Sequence, residues 1–335
     1  MATVAVGSRT GLSARTTTDR ALLRGFLEQD RLFAAYAICD LEDREFGRTR
    51  WGIASQGTEI VAVAMEYGGL TPQPMFVMGE DEGIAAILRD VIKPRAAYLA
   101  ARAESLPAVN GHYRVDPGPP MIRMWVDRSH FQPAPAQVER LLPVEVSELN
   151  RLYQLGFAAW LPSSAIAEGV YFGIRVNGRL IAAAGTHVIS RQARLAVVGN
   201  VLTHSDHRGR GYAKAVTSAV TSELLRYCDE VVLNVRSDNP PAIAAYTRLG
   251  YVEHTRFEER LVRRIASPWS DLTSSLRRLV GRGSAQNPPE IPTTPPSFDQ
   301  AHPVDQAHPV DQAHPVDQAH AIAPPSPDGS AEEPR

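Results

Sequence analysis

Apolar residues along this chain follow strand-like and helix-like spacings in turn, most clearly near its middle. Residues 195–198 are continuously apolar and predict a buried strand, whereas apolar residues recur every three or four positions over 213–227 and predict a helix. A short turn containing Gly209 and Gly211 joins the two. Backbone N–H groups at a helix start have no partner within the helix, and the helix dipole is positive there. The pattern therefore predicts an anion-binding site at this junction.

The pattern around this junction predicts a sheet flanked by helices. Asn177-Gly178 between two strand-like runs is a strong hairpin signal, and Asn239 followed by Pro240-Pro241 marks the start of a helix that ends before Gly250. Strands are predicted at 171–176, 180–189, 192–203, 231–235 and 251–261, and helices at 146–157, at 211–227, at 242–249 and in a short segment ending near 168. Helix and parallel strand thus alternate around an antiparallel meander. This order predicts a mixed α/β fold whose sheet is mostly antiparallel.

The first part of the chain repeats the same order of elements. Helices are predicted near 22–27 and 32–37 and at 83–91, and strands at 51–55, 60–65, 75–78, 96–100 and 121–126. The counterpart of the glycine turn is residues 79–83, which carry Glu80, Asp81 and Glu82. Three carboxylates at a helix start repel a phosphate group. We therefore predict a degenerate copy of the same fold, in tandem, that does not bind the anion.

Six parts are predicted along the chain. They are a flexible N-terminus (1–15), a degenerate α/β domain (16–130), a Pro-rich linker (131–137), a second α/β domain that carries the chemistry (138–263), a short amphipathic helix (264–284) and a disordered tail with repeats (285–335). The helix is expected to dock on the folded body, with a membrane or partner contact as the weaker alternative. The tail repeats Asp-Gln-Ala-His-Pro-Val and cannot offset its ordering entropy, so we expect it to be solvated and to hold no metal.

Composition and charge bound the function without identifying it. The chain of 335 residues has a formal net charge of −2, but residues 285–335 hold eight acidic residues and one arginine, so the remainder carries +5. This mild basicity suits a polyanionic small molecule and is too weak to indicate nucleic acid. Cys39 and Cys228 are too few for a disulfide framework, and no run is long enough to span a membrane. We expect a cytoplasmic protein, with its oligomeric state left open.

Two motifs give the junction a specific interpretation. Residues 199–213 read Gly-Asn-Val-Leu-Thr-His-Ser-Asp-His-Arg-Gly-Arg-Gly-Tyr-Ala, and residues 234–251 read Asn-Val-Arg-Ser-Asp-Asn-Pro-Pro-Ala-Ile-Ala-Ala-Tyr-Thr-Arg-Leu-Gly-Tyr. With Arg208-x-x-Gly211-x-Ala213 between strand and helix, residues 141–262 resemble the GCN5-related N-acetyltransferases (GNAT), and within them the FR47-like group. The resemblance implies the acyl-CoA N-acyltransferase fold. It also implies an acyltransferase that uses acetyl-CoA as the acyl donor.

The resemblance further implies roles for particular residues. The end of the strand would contact the pantetheine arm, and the turn would hold the pyrophosphate. The implied cofactor-binding residues are Val201, Leu202, Thr203, Arg208, Gly209, Arg210, Gly211, Tyr212, Ala213, Lys214 and Asn239. Tyr246 matches the tyrosine that protonates the departing CoA thiolate after an amine attacks the thioester. The implied acceptor is a small-molecule amine, an amino acid or a peptide.

Several of these residues also have ordinary structural explanations. Asn239 is an adequate helix cap without any ligand, and Tyr246 can simply pack its helix onto the sheet. The sequence does not single out a general base: His187, His204 and Glu168 are the candidates, and water is an alternative.

Two functions of different classes fit the motifs. The first is an N-acetyltransferase with an amine acceptor, which the intact Tyr246 favours. The second is an acyl-CoA-binding regulatory module without turnover, which recruits a partner through the first half or the tail. Trp160 lies where the family's acceptor cleft is walled, although core packing explains it as well. A P-loop nucleotide site is a weaker alternative, because residues 211–215 lack the Gly-Lys-Ser or Gly-Lys-Thr order.

Overall fold

The computed structural model describes residues 11–68, 72–153 and 161–265. Trp160, the predicted helix beyond residue 265 and the predicted tail at 285–335 lie outside the described residues. None of the described helices is both long enough and apolar enough to cross a membrane.

The described chain contains thirteen strands and nine α-helices. The strands are β1 (Leu12–Thr17), β2 (Thr49–Gln56), β3 (Glu59–Tyr67), β4 (Gln73–Gly79), β5 (Ala96–Ala101), β6 (Tyr113–Val115), β7 (Met121–Asp127), β8 (Glu139–Arg140), β9 (Phe172–Val176), β10 (Arg179–Ser190), β11 (Leu195–Thr203), β12 (Glu230–Arg236) and β13 (Val252–Arg264). The helices are α1 (Arg20–Leu27), α2 (Ala35–Cys39), α3 (Asp43–Phe46), α4 (Asp81–Asp90), α5 (Leu106–Asn110), α6 (Val146–Tyr153), α7 (Ser163–Glu168), α8 (Tyr212–Leu224) and α9 (Pro240–Thr247).

All the strands belong to one sheet. Their order is β1-β2-β3-β4-β5-β13-β7-β12-β11-β10-β9-β8, with β6 beside β13. Only β4 with β5 and β11 with β12 run parallel, and every other described pair is antiparallel. The predicted mixed, mostly antiparallel sheet flanked by helices is therefore confirmed.

The two halves of the chain complete each other's sheet. Strand β7, from the first half, lies between β12 and β13. Strand β13, from the second half, pairs with β7 through residues 252–257 and with β5 through residues 258–263. Strands from before and after the predicted linker at 131–137 thus belong to one continuous hydrogen-bonded sheet. The predicted domain boundaries stay predictions, but strand pairing crosses them in both directions.

Residues 12–15 were expected to belong to a flexible N-terminus, and this expectation is wrong. They form β1, which pairs with β2 from Leu12↔Gln56 to Thr17↔Trp51. Leu12 and Ala14 are its half-buried apolar residues and pack against the core beneath α4. An edge strand with two modest apolar side chains gives only a weak alternation in the sequence, so the pattern did not reveal it.

One hydrophobic core bridges the two halves. Phe33 and Ile38 of the first half pack in the same cluster as Val188, Leu195 and Val232 of the second. A second cluster lies beneath α8 and α9. Its α8 members are Ala215, Val216, Val220 and Leu224. This packing fixes the starts of both helices against the ends of β11 and β12.

Candidate functional site

A cavity opens where two parallel strands part. Strands β11 and β12 pair from Leu195↔Glu230 to Val198↔Leu233, and the pairing stops there. The ends of both strands, the start of α8 and one side of α9 line a cavity of about 690 Å³ in the gap. A volume in this range is typical of sites that hold a small-molecule ligand.

Two glycines shape the start of α8. Gly209 and Gly211 have φ of 75° and 80°, a left-handed conformation that strains any residue with a Cβ. Gly211 is the N-cap, and no side chain caps the helix. The first hydrogen bond of the helix runs from the Ala215 N–H to the Gly211 carbonyl at 3.0 Å. The N–H groups of the residues between them therefore have no acceptor inside the helix.

Basic side chains surround this helix start. Arg208, Lys214, Arg236 and Arg248 line the cavity, and no aspartate or glutamate is among its lining residues in the described chain. Arg236 also pairs with Asp238 at 2.7 Å, which holds its guanidinium at the end of β12. Positive side chains and the positive end of the helix dipole act in the same direction. The cavity is therefore suited to a polyanionic ligand.

Several buried polar atoms of the cavity lack a protein partner. Three side-chain atoms that line the cavity are buried without a hydrogen bond to the described residues. They are the Thr203 hydroxyl, the Asn234 side-chain oxygen and His207 Nδ1. Leaving a buried polar atom unpaired costs about 1–3 kcal/mol. A ligand with both hydrogen-bond donors and acceptors along its length would remove this cost.

A bulge in β11 forms one wall of the cavity. Asn200 has φ of 52°, and the pairing with β10 shifts register beside it. Its N–H donates to His187 Nε2 at 3.1 Å, and its carbonyl accepts from the Tyr153 hydroxyl at 2.5 Å. Its side-chain amide donates to the Tyr171 hydroxyl at 3.0 Å. The strand end that faces the cavity is thus fixed from several directions.

His187 links this bulge to the first half of the chain. Its Nδ1 lies 2.5 Å from the Tyr36 hydroxyl of α2. Because Nε2 accepts the Asn200 N–H, a neutral ring carries its hydrogen on Nδ1 and donates it to the Tyr36 oxygen. A Cβ on Gly199 would lie 1.9 Å from the imidazole, so only glycine leaves room for the ring. Both ring nitrogens are engaged, which makes His187 a positioning group in this arrangement.

Helix α9 brings two predicted residues to the opposite wall. Asn239 accepts a hydrogen bond from the Ala242 N–H at 3.2 Å, so it is a helix cap as well as a lining residue. Tyr246 is 6% exposed and lines the cavity. Its ring centroid lies 6.2 Å from that of Tyr251, whose hydroxyl forms a hydrogen bond of 2.7 Å with Thr221. Burial raises the pKa of Tyr251, so this neighbour stays protonated and neutral.

The structure brings nearly all the predicted site residues into one cavity. The lining contains Val201, Leu202, Thr203, Arg208, Gly209, Gly211, Tyr212, Ala213, Lys214, Asn239 and Tyr246. Arg210 is not among the lining residues and is exposed. The ligand-binding and catalytic roles of all these predicted site residues stay predictions.

The three candidate bases lie in different places. His187 lies between this cavity and a second one of about 250 Å³, and Glu168 lines only the second. His204 accepts from the Asp206 N–H at 3.4 Å and lines a separate depression with Arg179. Cys39 also lines the second cavity, where burial raises the pKa of its thiol well above the usual range, so it is not a thiolate nucleophile.

Sequence reasoning missed Tyr36, Asn234 and His207. Asn234 and His207 stand within the quoted motifs, and their residue types were the available signal. Tyr36 gave no signal, because only folding brings α2 next to β10. Among the described residues, no group of three or more His, Cys, Asp or Glu side chains is arranged to hold a metal ion.

Comparison with known proteins adds a family to this geometry. Residues 138–251 match the model of the Acetyltransferase (GNAT) family. A GCN5-related N-acetyltransferase from Sphaerobacter thermophilus is 18% identical, and the match covers 78% of this chain and 97% of that one with a TM-score of 0.53. A Drosophila protein is 12% identical over 75% of this chain and 98% of that one, with a TM-score of 0.55. No curated protein matches the chain.

The solved structures bear on the fold of the chain, and the family match bears on the part of the chain that lines the cavity. The solved structures share the fold across most of the described chain, and the family match falls on the half that contains the glycine turn and Tyr246. Residues 138–251 therefore carry the pattern of the GNAT acetyltransferases, and acyl transfer is the general class of reaction that this match supports.

Proposed function

We propose that this protein is an N-acetyltransferase that moves the acetyl group of acetyl-CoA to an amine. The observation that carries the proposal is the start of α8, where uncapped N–H groups and basic side chains face a cavity that also contains Tyr246. Helix starts of this kind bind phosphate groups. The family match on residues 138–251 supports the same class of reaction.

The donor would bind along the gap between β11 and β12. The N–H groups from Gly209 to Lys214 would hold the diphosphate, with Arg208 adding charge. The backbone of residues 201–203 and the side chain of Asn239 would contact the pantetheine arm. Thr203 and Asn234 each have a buried oxygen without a described partner there, and these oxygens suit the amides of that arm.

The chain's own residues would orient the reaction and move one proton. A bound acetyl thioester would supply the acyl group. His187 and Tyr153 fix the bulge at Asn200, which sets the position of the strand end beside that group. Tyr246, on the opposite wall, would hold the proton that the sulfur receives when the thioester bond breaks. The proton that the acceptor nitrogen loses would pass to solvent.

Finer assignments belong to the same proposal. We infer that residues 138–263 form an FR47-like unit and that the first half is a copy that does not bind the donor. The start of α4 carries Asp81 and Glu82 in its first turn, which disfavours a second phosphate. Cys39 and Cys228 are both buried and unpaired with each other, as expected for a protein of the cytoplasm.

Two measurements test the proposal. Calorimetry with the full chain should detect acetyl-CoA binding, and a thiol-release assay over a panel of amines should detect turnover. Gly211→Val should lose binding and Arg208→Glu should weaken it, while Gly25→Ala, in open space on α1, serves as the matched glycine control. Binding without release by any amine would favour the regulatory module without turnover. No binding at all would end the proposal.

A further inference from the structure

The second cavity joins the first at its reactive end. The cavity of about 250 Å³ shares His187 and Asn200 with the larger one and continues on the far side of the β11 bulge. This volume lies slightly below the range of about 300–1,000 Å³ typical of drug-sized ligands. It therefore suits a small molecule, or one end of a larger one, that approaches the thioester from the side opposite the cofactor.

Both halves of the chain build this second cavity. The first half supplies the segment from Cys39 to Glu45, which includes the α2–α3 connection. The second half supplies α7 and β10, including Glu168, Thr186 and His187. The copy that carries no anion turn of its own thus contributes a wall to the neighbouring site.

Carboxylates dominate the charged groups of this cavity, and they are not equivalent. Glu168 forms an ion pair with Arg44. Glu45 accepts a hydrogen bond from the Tyr67 hydroxyl at 2.6 Å and has Arg48 at 3.6 Å. These two carboxylates are therefore compensated by cations of the chain itself.

Glu42 is the exception. Its carboxylate accepts a hydrogen bond from the Ser190 hydroxyl, and the described residues place no cation within ion-pair distance of it. Ser190 is fully buried and also accepts the Ala193 N–H at 2.9 Å, so the hydroxyl is held with its hydrogen toward Glu42. A carboxylate has two oxygens that can each accept more than one hydrogen bond, so the Ser190 hydroxyl leaves most of the acceptor sites of Glu42 open. Glu42 is therefore prepared to receive a cation inside the cavity.

We propose that the second cavity binds the acceptor and that Glu42 binds its ammonium group, so that the enzyme selects small cationic amines without a carboxylate or phosphate. This inference rests on the proposed function and adds its substrate class. A linear diamine fits best, because one nitrogen can react while the other stays charged against Glu42. An amine with an acidic tail meets Glu42, Glu45 and Glu168 and is disfavoured.

The proposed reaction balances without a further reactant. The reacting ammonium releases one proton to solvent and becomes a neutral amine. Its nitrogen forms a bond to the acetyl carbon while the carbon–sulfur bond breaks. The second proton leaves the nitrogen for solvent, and the sulfur receives one proton from Tyr246, which solvent restores. The products are the acetamide, coenzyme A as the thiol and one released proton.

A panel of matched length tests the selectivity of the wild-type chain. It consists of 1,4-diaminobutane, n-butylamine and 4-aminobutanoate, which differ in the charge at the far end. Acetylation rates should fall in that order, and calorimetry with coenzyme A present should give the same order of affinity. A preference for 4-aminobutanoate, or affinity for none of the three, would overturn the inference.

Variants at Glu42 test the residue itself. Glu42→Gln keeps the shape and removes the charge, so the KM for 1,4-diaminobutane should rise about 10- to 100-fold, the factor for one charge-assisted hydrogen bond. Its kcat should change much less. Glu42→Asp should restore part of the effect, and Glu59→Gln, at the exposed start of β3, should behave as wild type.

The outcomes separate this inference from the proposed function. Calorimetry of acetyl-CoA binding on each variant shows whether the protein is folded and the donor site intact. If the wild type turns over an amine but Glu42→Gln leaves the KM and affinity for the diamine unchanged, the inference fails and the acetyltransferase stands. If the wild type binds no acetyl-CoA, the proposed function fails first.

Discussion

The starts of α4 and α8 occupy the same place in the two halves, and their glycines do opposite things. Each helix follows the last strand of a meander, and that strand pairs in parallel with the strand after the helix. A Cβ on Gly79, before α4, would lie 2.3 Å from the Val61 carbonyl oxygen, whereas a Cβ on Gly209 or Gly211 would meet nothing within 4 Å. The first glycine closes the turn against β3, and the other two keep backbone open to a ligand.

The charges differ in the same sense. Asp81 and Glu82 occupy the first turn of α4, while the first turn of α8 has no acidic residue and Lys214 lies there. Carboxylates satisfy the helix dipole of α4 from within the chain. The start of α8 has neither an acidic residue in its first turn nor a side-chain cap. One backbone plan therefore supports either a turn closed against a neighbouring strand or a turn with open backbone, depending on a few side chains.

The largest expected effect comes from replacing glycine by valine in the turns before α8 and α4. Gly211→Val strains a left-handed residue and covers the N–H groups, so acetyl-CoA affinity should fall by at least about 100-fold, the loss of several charge-assisted hydrogen bonds. Gly79→Val should instead lower the free energy of unfolding, because its side chain meets backbone. Calorimetry and urea denaturation on both variants check the contrast. Equal losses of binding would contradict it.

Tyr246→Phe sharpens the comparison at the following helix. The sequence of α5 in the first half is Leu-Pro-Ala-Val-Asn and holds no tyrosine, whereas α9 carries Tyr246, the proposed proton donor. We expect kcat to fall about 100-fold, within the range for losing a general acid, with acetyl-CoA affinity unchanged. Steady-state assays measure kcat, and calorimetry measures the affinity for acetyl-CoA. An unchanged kcat would assign Tyr246 to packing against Tyr251.

A charge reversal in the turn before α8 should have an intermediate effect on acetyl-CoA affinity. Arg208→Glu places a carboxylate beside the helix start and should weaken acetyl-CoA binding about 10-fold, more at low salt than at high salt. Arg210→Glu is the matched control, because Arg210 does not line the cavity. If both reversals weakened binding equally, the long-range field rather than the turn would be responsible.

The smallest expected effect lies in the first half. Asp81→Asn combined with Glu82→Gln removes carboxylates from the start of α4 and should lower the free energy of unfolding by about 0.3–1 kcal/mol for each. Acetyl-CoA binding should not change. Urea denaturation at neutral pH measures the first quantity. Acetyl-CoA binding at a second site in this variant would show that charge alone had closed the first half.

The sequence predicted local features well and partners poorly. The hairpin at Asn177-Gly178 has both residues at positive φ, as the motif requires, and the turn before α8 lies where the spacing placed it. These features depend on a few adjacent residues. Hydrophobic periodicity, in contrast, marks β7 and β13 as strands but does not say which strands they pair with. The exchange between halves was therefore not predicted.

The candidate site likewise contains residues that local motifs identify and residues that only the fold brings to it. Residues of the turn and Tyr246 stand in one motif each, so they could be named from the sequence. Tyr36 and Glu42 reach the site from the first half, and Ser190 holds Glu42 from behind. Such contacts join residues more than a hundred positions apart, and their residue types are common on protein surfaces. Only the fold brings them together.

The long strand β13 also sets a schedule for synthesis. While the chain emerges from the ribosome, β5 keeps one open edge until residues 258–263 arrive to pair with it. Because those residues come nearly last in the described chain, neither half can finish its sheet alone. Truncation before Val252 should therefore expose β5 and β7 together and turn both halves into a substrate for chaperones or proteases.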